Sequence, residues 1–394
     1  MPSLQTISII GSTGSIGTQA LNIIRQRKDE YKVVALAARN NLDIFIKQIN
    51  EFNPEYVYIA DLSQQEIIRE RFPHLSILES TEAIAELENI DIFISAIVGI
   101  AGLKPNLKAL TKAKKVAIAN KETLVVAEHL VNKLKDEFNT VLIPIDSEHV
   151  AIHQCLSARS PLNINKGLEG EDSDVKEILL TSSGGPFRNK TYEELMKVSL
   201  SDALKHPTWT MGKKITIDSS TLMNKALEVI EVHALFKIPY EKIRVVIHPQ
   251  SIVHSAVSFI DGNVIAQLGA TNMEIPIQYA MDYPQRRKLA VDDSFSIFGQ
   301  TWDFYEPNHK LFPLLGLGYE VGKLAHSYPT VFNAANEAAV ELFLNEKIKW
   351  YEIENLINMA LEKHSIIFNP SLTEILAIDE EVKLSVYAHG KILS

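Results

Sequence analysis

The sequence predicts an α/β protein with three domains, and three stretches of the 394-residue chain support this. Residues 1–146 alternate short apolar runs with helical patterns, which is typical of a doubly wound, mostly parallel sheet. Residues 147–281 carry fewer, longer strands and longer helices, as in an α+β domain with a partly antiparallel sheet. Residues 309–394 show apolar residues at helical spacing, and residues 282–308 lack such periodicity and predict a linker.

The strands of the first two domains follow from the apolar runs. They are Thr6–Ile10, Lys32–Ala37, Tyr56–Ala60, Ile90–Ala96, Lys115–Ala119 and Thr140–Ile145 in the first domain, then Glu177–Thr181, Arg244–Ile247, Val253–Phe259 and Val264–Leu268 in the second. In the third domain, helices are expected from Asn333 and from Tyr351.

Composition excludes several functional classes. The formal net charge of −10 argues against general nucleic-acid binding. No apolar run reaches the roughly 18 residues of a membrane span, so we expect no membrane partner. The single cysteine, Cys155, excludes an intramolecular disulfide and a cysteine-based zinc cluster, and we expect it in a helix core. The first strand follows the N-terminus directly, without a signal or transit peptide, so a cytoplasmic, bacterial protein is expected unless a transit peptide has been removed.

The glycine-rich segment Gly11–Gly17 (GSTGSIG) lies between the first strand and a helical pattern. A strand, a glycine turn and a helix begin a nucleotide-binding βα unit, because the backbone then approaches a pyrophosphate that the helix N-terminus can bind. A plain strand-to-helix turn is the alternative, since the spacing is G-x-x-G-x-x-G and not the strict fingerprint. The first domain is therefore predicted to be Rossmann-like.

The end of the second strand indicates which nicotinamide cofactor binds. NAD-specific domains place an acid there for the ribose 2′-hydroxyl, whereas this chain has Arg39, Asn40 and Asn41. A cation and two amides suit a 2′-phosphate, which favours NADPH. The alternative is an ordinary solvated surface arginine.

Two carboxylates, Asp146 and Glu148, follow the last strand of the first domain in the segment VLIPIDSEH. If the backbone stays extended, both point to one side at the carboxyl end of the sheet and form a hard-oxygen site for Mg²⁺ or Mn²⁺. The alternative is a helix N-terminus with a capping box. His149 and His153 are four residues apart, but zinc is disfavoured because the H-E-x-x-H pattern is absent.

A second polar cluster lies on the segment IDSSTLMNKALEVIEVH. Asp218 or Ser219 is predicted to be the N-cap of one long helix. On that helix Asn224, Lys225 and Glu228 would lie near one face, and Ser219 with Asn224 and Lys225 would form a phosphate cradle. The alternative is a solvated helix face with one Lys–Glu pair.

Two loops complete the set. TSSGGPFR, with Ser183, follows a strand and would hold an anion. LKHPTWTMGKK carries Trp209 and Met211 and predicts a lid, unless Trp209 is only a buried loop anchor. A further set follows a strand at the ligand-binding edge: Asn120, Lys121 and Glu122.

Taken together, these segments resemble the 1-deoxy-D-xylulose 5-phosphate reductoisomerase family over essentially the whole chain. The motifs that carry the resemblance are GSTGSIG, AIVG, ANKE, DSEH, SGGPF, HPTWTMG, DSSTLMNK, HPQSIVHS, AQLG and NAANE. The resemblance implies a homodimeric NADP-dependent oxidoreductase of isoprenoid precursor biosynthesis. It would use NADPH and a divalent metal to rearrange and reduce 1-deoxy-D-xylulose 5-phosphate to 2-C-methyl-D-erythritol 4-phosphate. The alternative is a metal-independent NADP-dependent semialdehyde or hydroxy-acid dehydrogenase.

The matching motifs also imply residue roles. The metal, Mg²⁺ or Mn²⁺ with Co²⁺ as a further option, would be held by Asp146, Glu148 and Glu228. The substrate would contact Lys121, Ser147, Glu148, Ser183, His206, Trp209, Ser219, Asn224, Lys225 and Glu228, of which Lys121, Glu148 and His206 would be catalytic. NADPH would contact Gly11, Thr13, Gly14, Ser15, Ile16, Arg39, Asn40, Asn41, Asn120, Glu122 and Gly212. Trp209 would lie on a flap of residues 204–214.

One segment departs from the family. Members often carry a Gly-Lys/Arg-Asn turn after the second strand, whereas this chain reads Ala38-Arg39-Asn40-Asn41. The departure concerns the partner of the 2′-phosphate and leaves the implied reaction unchanged.

Overall fold

The structure is a computed structural model that describes residues 4–159, 173–290 and 295–393. The chain forms two compact units. Unit 1 comprises residues 1–123, 129–150 and 272–294, and unit 2 comprises residues 124–128, 151–271 and 295–394. Within the described residues, no helix is long and apolar enough to cross a membrane.

The described residues form eleven strands and sixteen α-helices. The strands are β1 (Gln5–Ile10), β2 (Tyr31–Ala38), β3 (Tyr56–Ile59), β4 (Ser76–Ile77), β5 (Ile92–Ser95), β6 (Lys115–Ile118), β7 (Val141–Pro144), β8 (Val175–Ser182), β9 (Ile243–Ile247), β10 (Val253–Phe259) and β11 (Val264–Leu268). The helices are α1 (Ser15–Gln26), α2 (Leu42–Phe52), α3 (Leu62–Arg71), α4 (Thr81–Ala85), α5 (Leu103–Ala109), α6 (Lys121–Phe138), α7 (Ser147–Leu156), α8 (Tyr192–Leu195), α9 (Leu200–Ala203), α10 (Lys213–Ser220), α11 (Met223–Phe236), α12 (Glu274–Asp282), α13 (Pro313–Leu324), α14 (Tyr328–Leu344), α15 (Glu352–Lys363) and α16 (Leu372–Leu393).

Unit 1 contains a seven-stranded sheet in the order β4-β3-β2-β1-β5-β6-β7. Every neighbouring pair is parallel, as the alternating apolar and helical segments predict. Strand residues such as Ile7, Ile9 and Ile94 are fully buried, because helices cover a parallel sheet on both faces. All carboxyl ends of these strands therefore lie along one edge, where open α/β sheets bind ligands.

Helix α12 belongs to unit 1, although it follows the second sheet in the sequence. It packs against α1, and its last residue, Asp282, accepts hydrogen bonds from Arg27 at 2.8 Å and from the Tyr31 hydroxyl at 2.6 Å. The buried Lys115 donates to the carbonyl oxygens of Met281 and Tyr283 at the C-terminus of the same helix. The polar groups at that helix end are thus paired inside the unit.

Unit 2 is built on a four-stranded sheet in the order β11-β10-β8-β9. Strands β8 and β9 are parallel, whereas β10 pairs antiparallel with both β8 and β11. The predicted partly antiparallel sheet is confirmed. Helix α11 packs on α13, and the long helix α14 packs on α15 and α16. Thirteen of the seventeen residues of α14 are buried, which marks it as the centre of the helical part of the unit.

The α/β class, with its parallel first sheet, its second sheet and its C-terminal helices, is confirmed. The domain boundaries predicted at 146/147 and 281/282 stay predictions. Part of the predicted linker 282–308, residues 291–294, lies outside the described residues. Cys155 is buried within α7, as expected of a helix core residue.

The single long helix predicted from Asp218 or Ser219 is wrong. Two helices occupy this stretch, and Asp218 and Ser219 lie in the last turn of α10 and not at an N-cap. The break is at Leu222, whose φ of 59° places it in the left-handed region. A bulky residue is strained there, and the burial of the Leu222 side chain in the core offsets that strain.

Candidate active site

The glycine turn after β1 is built for close backbone approach. Gly11 has a φ of +82°, and a Cβ atom on it would lie 2.4 Å from the carbonyl oxygen of Ala96. A larger residue is therefore excluded at this position. Helix α1 begins at Ser15 after an N-cap glycine, Gly14, so backbone N–H groups of its first turn point out of the helix. This is an anion-binding arrangement, and it contains the predicted residues Thr13, Gly14, Ser15 and Ile16.

The loop after β2 lies beside this turn, because β1 and β2 are neighbours in the sheet. Arg39, Asn40 and Asn41 are all exposed there. The Asn41 side chain accepts a hydrogen bond from the N–H of Ile44 and so acts as the N-cap of α2. Arg39 is thus placed at the ligand-binding edge with its guanidinium accessible.

The Asn120 side chain holds the loop that follows β5 in place through hydrogen bonds. It is fully buried, and its amide donates to the carbonyl oxygens of Ile97 and Gly99, each at 2.9 Å. Its side-chain oxygen accepts the N–H of Thr123 at 3.1 Å, which caps α6. Asn106, which sequence reasoning missed, donates to that same oxygen at 3.2 Å. A lone asparagine in a helix gives no sequence signal of such a role.

An ion pair between Lys121 and Asp146 links the ends of two further strands. The Lys121 side chain is 8% exposed, and its Nζ lies 2.6 Å from Oδ2 of Asp146. Lys121 begins α6 after β6, and Asp146 follows β7, so a parallel pair of strands brings the two charges together. Glu122 is also buried at this edge. A buried ammonium and a carboxylate are thereby held where substrates bind in this class of sheet.

The predicted extended arrangement of Asp146 and Glu148 is wrong in its local geometry. Strand β7 ends at Pro144 and α7 starts at Ser147, so Glu148 lies in the first helical turn. The Ser147 hydroxyl donates to Oε2 of Glu148 at 2.5 Å. Both carboxylates still stand at the carboxyl end of β7, and the positive end of the α7 dipole favours their charge.

In unit 2, helix α11 presents the predicted set Asn224, Lys225 and Glu228 on one face. Glu228 is 1% exposed. Its Oε1 accepts from the Asn224 amide at 2.5 Å, and its Oε2 pairs with the Lys225 ammonium. The carboxylate is thus held in one orientation by two partners on its own helix, as the i, i+3 and i, i+4 spacing predicts.

The loop after β8 lies against the end of α10. Gly185 has a φ of +69°, and a Cβ atom on it would lie 2.4 Å from the carbonyl oxygen of Ser219. Ser183, two residues earlier, accepts the N–H of Gly185 at 3.2 Å. Two hydroxyl-bearing segments, one with Ser183 and one with Ser219, therefore meet at this glycine.

His206 connects this loop to the predicted flap. Its Nδ1 accepts the backbone N–H of Trp209 at 2.9 Å and of Thr208 at 3.3 Å. The neutral imidazole therefore carries its hydrogen on Nε2, which lies 3.1 Å from Oγ of Ser183 and donates to it. Trp209 is partly exposed, with its ring 6.1 Å from that of His254. Residues 205–212 contain no helix or strand, and Gly212 is the N-cap of α10.

Asp218 and Cys155 are buried groups with structural roles. Asp218 accepts from Asn336 at 2.9 Å and pairs with Lys214 at 2.8 Å, so it fastens α10 to α14. Burial raises the pKa of the Cys155 thiol to about 11. The thiol is therefore protonated at neutral pH and is neither a nucleophile nor a thiolate ligand.

Comparison with known family models matches most of the chain, in three ranges. Residues 7–128 match the model of 1-deoxy-D-xylulose 5-phosphate reductoisomerase, residues 142–236 its C-terminal domain model, and residues 268–385 the model of a DXP reductoisomerase C-terminal domain.

Curated relatives carry the same description. The reductoisomerase of Lachnoclostridium phytofermentans is 47% identical over 386 residues, which is 96% of each protein. That of Thermoanaerobacter pseudethanolicus is 44% identical over 385 residues, covering 96% of this chain and 98% of the relative.

Solved structures of the same enzyme superpose closely. A DOX-P reductoisomerase in complex with NADPH, fosmidomycin and magnesium has a TM-score of 0.93 at 35% identity, with 99% of both chains covered. The Zymomonas mobilis enzyme in complex with NADPH has a TM-score of 0.89 at 35% identity, covering 99% of this chain and 100% of the other.

Proposed function

The chain belongs to the 1-deoxy-D-xylulose 5-phosphate reductoisomerase family, and we propose which of its residues perform each part of the reaction. It converts 1-deoxy-D-xylulose 5-phosphate to 2-C-methyl-D-erythritol 4-phosphate with NADPH and a divalent metal. The alternative of a metal-independent dehydrogenase is set aside, since the family match runs from the first domain to the last helices.

The metal is held by Asp146, Glu148 and Glu228. All three offer carboxylate oxygens, which are the donors that Mg²⁺ and Mn²⁺ prefer. Glu228 supports this most directly, because its carboxylate is 1% exposed and is oriented by Lys225 and Asn224. When bound, the metal supplies Lewis-acid polarisation of the substrate carbonyl.

NADPH binds along the carboxyl edge of the first sheet. Its pyrophosphate lies over the turn Gly11–Ile16 and the N-terminus of α1, where glycines allow close approach. The 2′-phosphate is bound by Arg39 with Asn40 and Asn41. Asn120 acts on the nicotinamide end through the loop after β5, since its amide holds two carbonyl oxygens of that loop. Glu122 and Gly212 complete the proposed cofactor site.

The substrate phosphate is bound in a cradle formed by Ser183, Ser219, Asn224 and Lys225. The cradle is supported by the contact of Gly185 with Ser219 and by the position of Asn224 and Lys225 in the first turn of α11. Because Ser183 accepts from the His206 imidazole and the Gly185 N–H, its own hydrogen is the one it donates to a phosphate oxygen. Binding the remote phosphate positions the reacting end.

Lys121, Ser147 and Glu148 contact the carbon backbone of the substrate. The Lys121 ammonium is a proton donor or a stabiliser of developing negative charge, and Glu148 is a proton acceptor. His206 links phosphate binding to the flap, and Trp209 covers the reacting atoms and excludes water.

The chain is further proposed to form a homodimer. Strand β11 is the last strand of the second sheet and pairs only with β10 among the described strands. Val264 and Ile265 on it, and Ile260 beside it, are 55%, 38% and 70% exposed. An edge strand with apolar exposed residues is a template for pairing with a second copy. Sedimentation should give a dimer, and Ile265→Lys should shift the population toward monomer.

A cytoplasmic location is also proposed, because the curated relatives are bacterial enzymes. Fractionation of cells that express the chain tests this. Recovery with the membrane or periplasmic fraction would contradict it.

The residue assignment rests above all on the buried, doubly bonded Glu228, and one substitution tests it. Glu228→Gln keeps the shape and removes the charge, so the half-saturating Mg²⁺ concentration should rise at least about tenfold. The melting temperature should also fall, because the Lys225 ammonium, whose side chain is 3% exposed, loses its carboxylate partner. Glu337→Gln is the control, because Glu337 is a partly buried carboxylate, 16% exposed, that also pairs with a lysine, Lys383, at 2.6 Å. Equal Mg²⁺ requirements in both variants would remove Glu228 from the metal site.

A further inference from the structure

The side chain of Trp350 lies behind the proposed phosphate cradle. Trp350 follows α14 and is 8% exposed. Its indole N–H donates to Oγ of Ser220 at 2.9 Å, and Ser220 is 1% exposed. The Ser220 hydroxyl donates its hydrogen to the carbonyl oxygen of Ile217 at 2.7 Å. The Ser220 oxygen therefore acts only as the acceptor in the bond from Trp350. Ser220 is the residue next to Ser219 of the cradle.

The same indole ring also contacts the other half of the cradle. Its centroid lies 5.6 Å from that of Phe187, with the rings at 82°. Phe187 is 1% exposed and belongs to the loop that carries Ser183. A second edge-to-face contact, at 6.3 Å, joins Trp350 to Phe312 and fixes the ring from another side. One side chain thus touches both segments whose serines form the cradle.

The two segments also touch each other directly. Gly185, which lies between Ser183 and Phe187, packs against the backbone of Ser219 without room for a side chain. A shift of either segment therefore changes the distance between the two serine hydroxyls. Packed interiors transmit such shifts, because they contain few voids that could absorb them.

We propose that Trp350 is a positioning residue for substrate phosphate: its indole N–H and ring hold the Ser183 loop and the end of α10 at the separation that lets both serines bind one phosphate. This rests on the proposed cradle. Trp350 touches neither serine, so it acts through Ser220 and Phe187. Its loss should weaken phosphate recognition and leave the NADPH site unaffected.

The test is Trp350→Phe, which keeps an aromatic ring and removes the hydrogen-bond donor. The loss of one buried hydrogen bond corresponds to about a three- to tenfold change in a binding constant. We expect KM for 1-deoxy-D-xylulose 5-phosphate, and the inhibition constant of inorganic phosphate competing with it, to rise by about that factor. The kcat should fall less than about twofold, and KM for NADPH should stay the same.

Trp302→Phe is the matched control. Among the described residues the buried indole nitrogen of Trp302 has no hydrogen-bond partner, so its removal breaks no such bond. Ser220→Ala removes the acceptor instead and keeps the test valid if Trp350→Phe does not fold. The double variant Trp350→Phe/Ser220→Ala should raise KM no more than the larger single effect, because both changes break one bond.

Two results would overturn the inference: an unchanged KM for the sugar phosphate in Trp350→Phe, or an equal rise in KM for NADPH. Ser183→Ala and Ser219→Ala distinguish this failure from failure of the cradle itself. If both serine variants raise the inhibition constant of inorganic phosphate and Trp350→Phe does not, the phosphate cradle is supported and the positioning role of Trp350 is rejected. If neither serine variant raises this inhibition constant, the proposed cradle is rejected as well.

Discussion

The Lys121 ammonium lies 2.6 Å from a carboxylate oxygen of Asp146, at the ends of two adjacent parallel strands. A lysine 8% exposed is costly to bury unless a negative group is beside it. The pairing therefore offsets part of the cost of burying these two groups at the edge of the sheet. It also means that Asp146 serves two positive partners, the ammonium and the proposed metal.

Replacing Lys121 by Met should separate those two roles. The kcat should fall by about a hundredfold or more, because a positioned proton donor or charge stabiliser is lost. The half-saturating Mg²⁺ concentration should not rise, since Asp146 no longer shares its charge with an ammonium. Lys114→Met is the control, because it breaks an exposed lysine–aspartate pair of similar length, 2.7 Å to Asp91. Full activity in Lys121→Met would exclude a catalytic role for this residue.

Arg39→Ala should change cofactor preference. Losing a charge-assisted bond to phosphate costs about 1.5 to 3 kcal/mol, which is about tenfold to over a hundredfold in KM for NADPH. KM for NADH should change less than about twofold, because NADH has no 2′-phosphate. Arg71→Ala, at the last residue of α3, controls for the general loss of positive charge. Equal effects on both cofactors would contradict the assignment.

Trp209→Ala tests the flap. Trp209 is partly exposed and lies in a segment without helix or strand, so its truncation should leave the melting temperature within a few degrees. The kcat/KM should fall at least about tenfold, because the reacting atoms are then open to water. A packed connector would behave in the opposite way, with a stability loss of about 3 to 5 kcal/mol and normal kinetics in the surviving fraction.

Lys115 should make stability depend on pH in the alkaline range. Burial lowers the pKa of Lys115 to about 8, against the opposing effect of the Asp282 carboxylate. Between pH 8 and the unfolded value of about 10.4, the unfolded chain binds more protons, so the free energy of unfolding rises with pH. Below pH 8 both states are protonated and the full cost of the buried charge is present.

The comparison with Lys115→Met isolates this contribution. The free energy of unfolding of the parent chain minus that of the variant should rise by about 3 kcal/mol between pH 8 and pH 10.4. Lys114→Met provides the reference, because Lys114 is 78% exposed. A pH-independent difference between the parent and Lys115→Met would show that Lys115 keeps an ordinary pKa.

The sheets could be predicted from sequence because the apolar periodicity is local. Ten strands were predicted within one or two residues of their observed ends. Strand β4 was missed, because two residues carry no readable pattern and only pairing with β3 defines them. The break between α10 and α11 was missed because no glycine or proline marks it, and only the burial of Leu222 stabilises its left-handed backbone.

The candidate site also contains one part that the sequence predicts and another part that it does not. The face shared by Asn224, Lys225 and Glu228 follows from helical spacing alone. The bond between Ser183 and His206 joins residues 23 positions apart, and no spacing rule predicts such a contact. Glu148 lies in a helix and not in the predicted extended backbone, because the serine that follows Asp146 begins a helix as readily as it continues a strand.

The central claim is that this chain reduces 1-deoxy-D-xylulose 5-phosphate only with NADPH and a divalent metal bound at carboxylates. The most direct measurement is NADPH oxidation by the purified chain with that substrate, before and after chelation. We predict that chelation abolishes turnover, that Mg²⁺ or Mn²⁺ restores it, and that the product is 2-C-methyl-D-erythritol 4-phosphate. Undiminished turnover by the chelated protein would contradict the account.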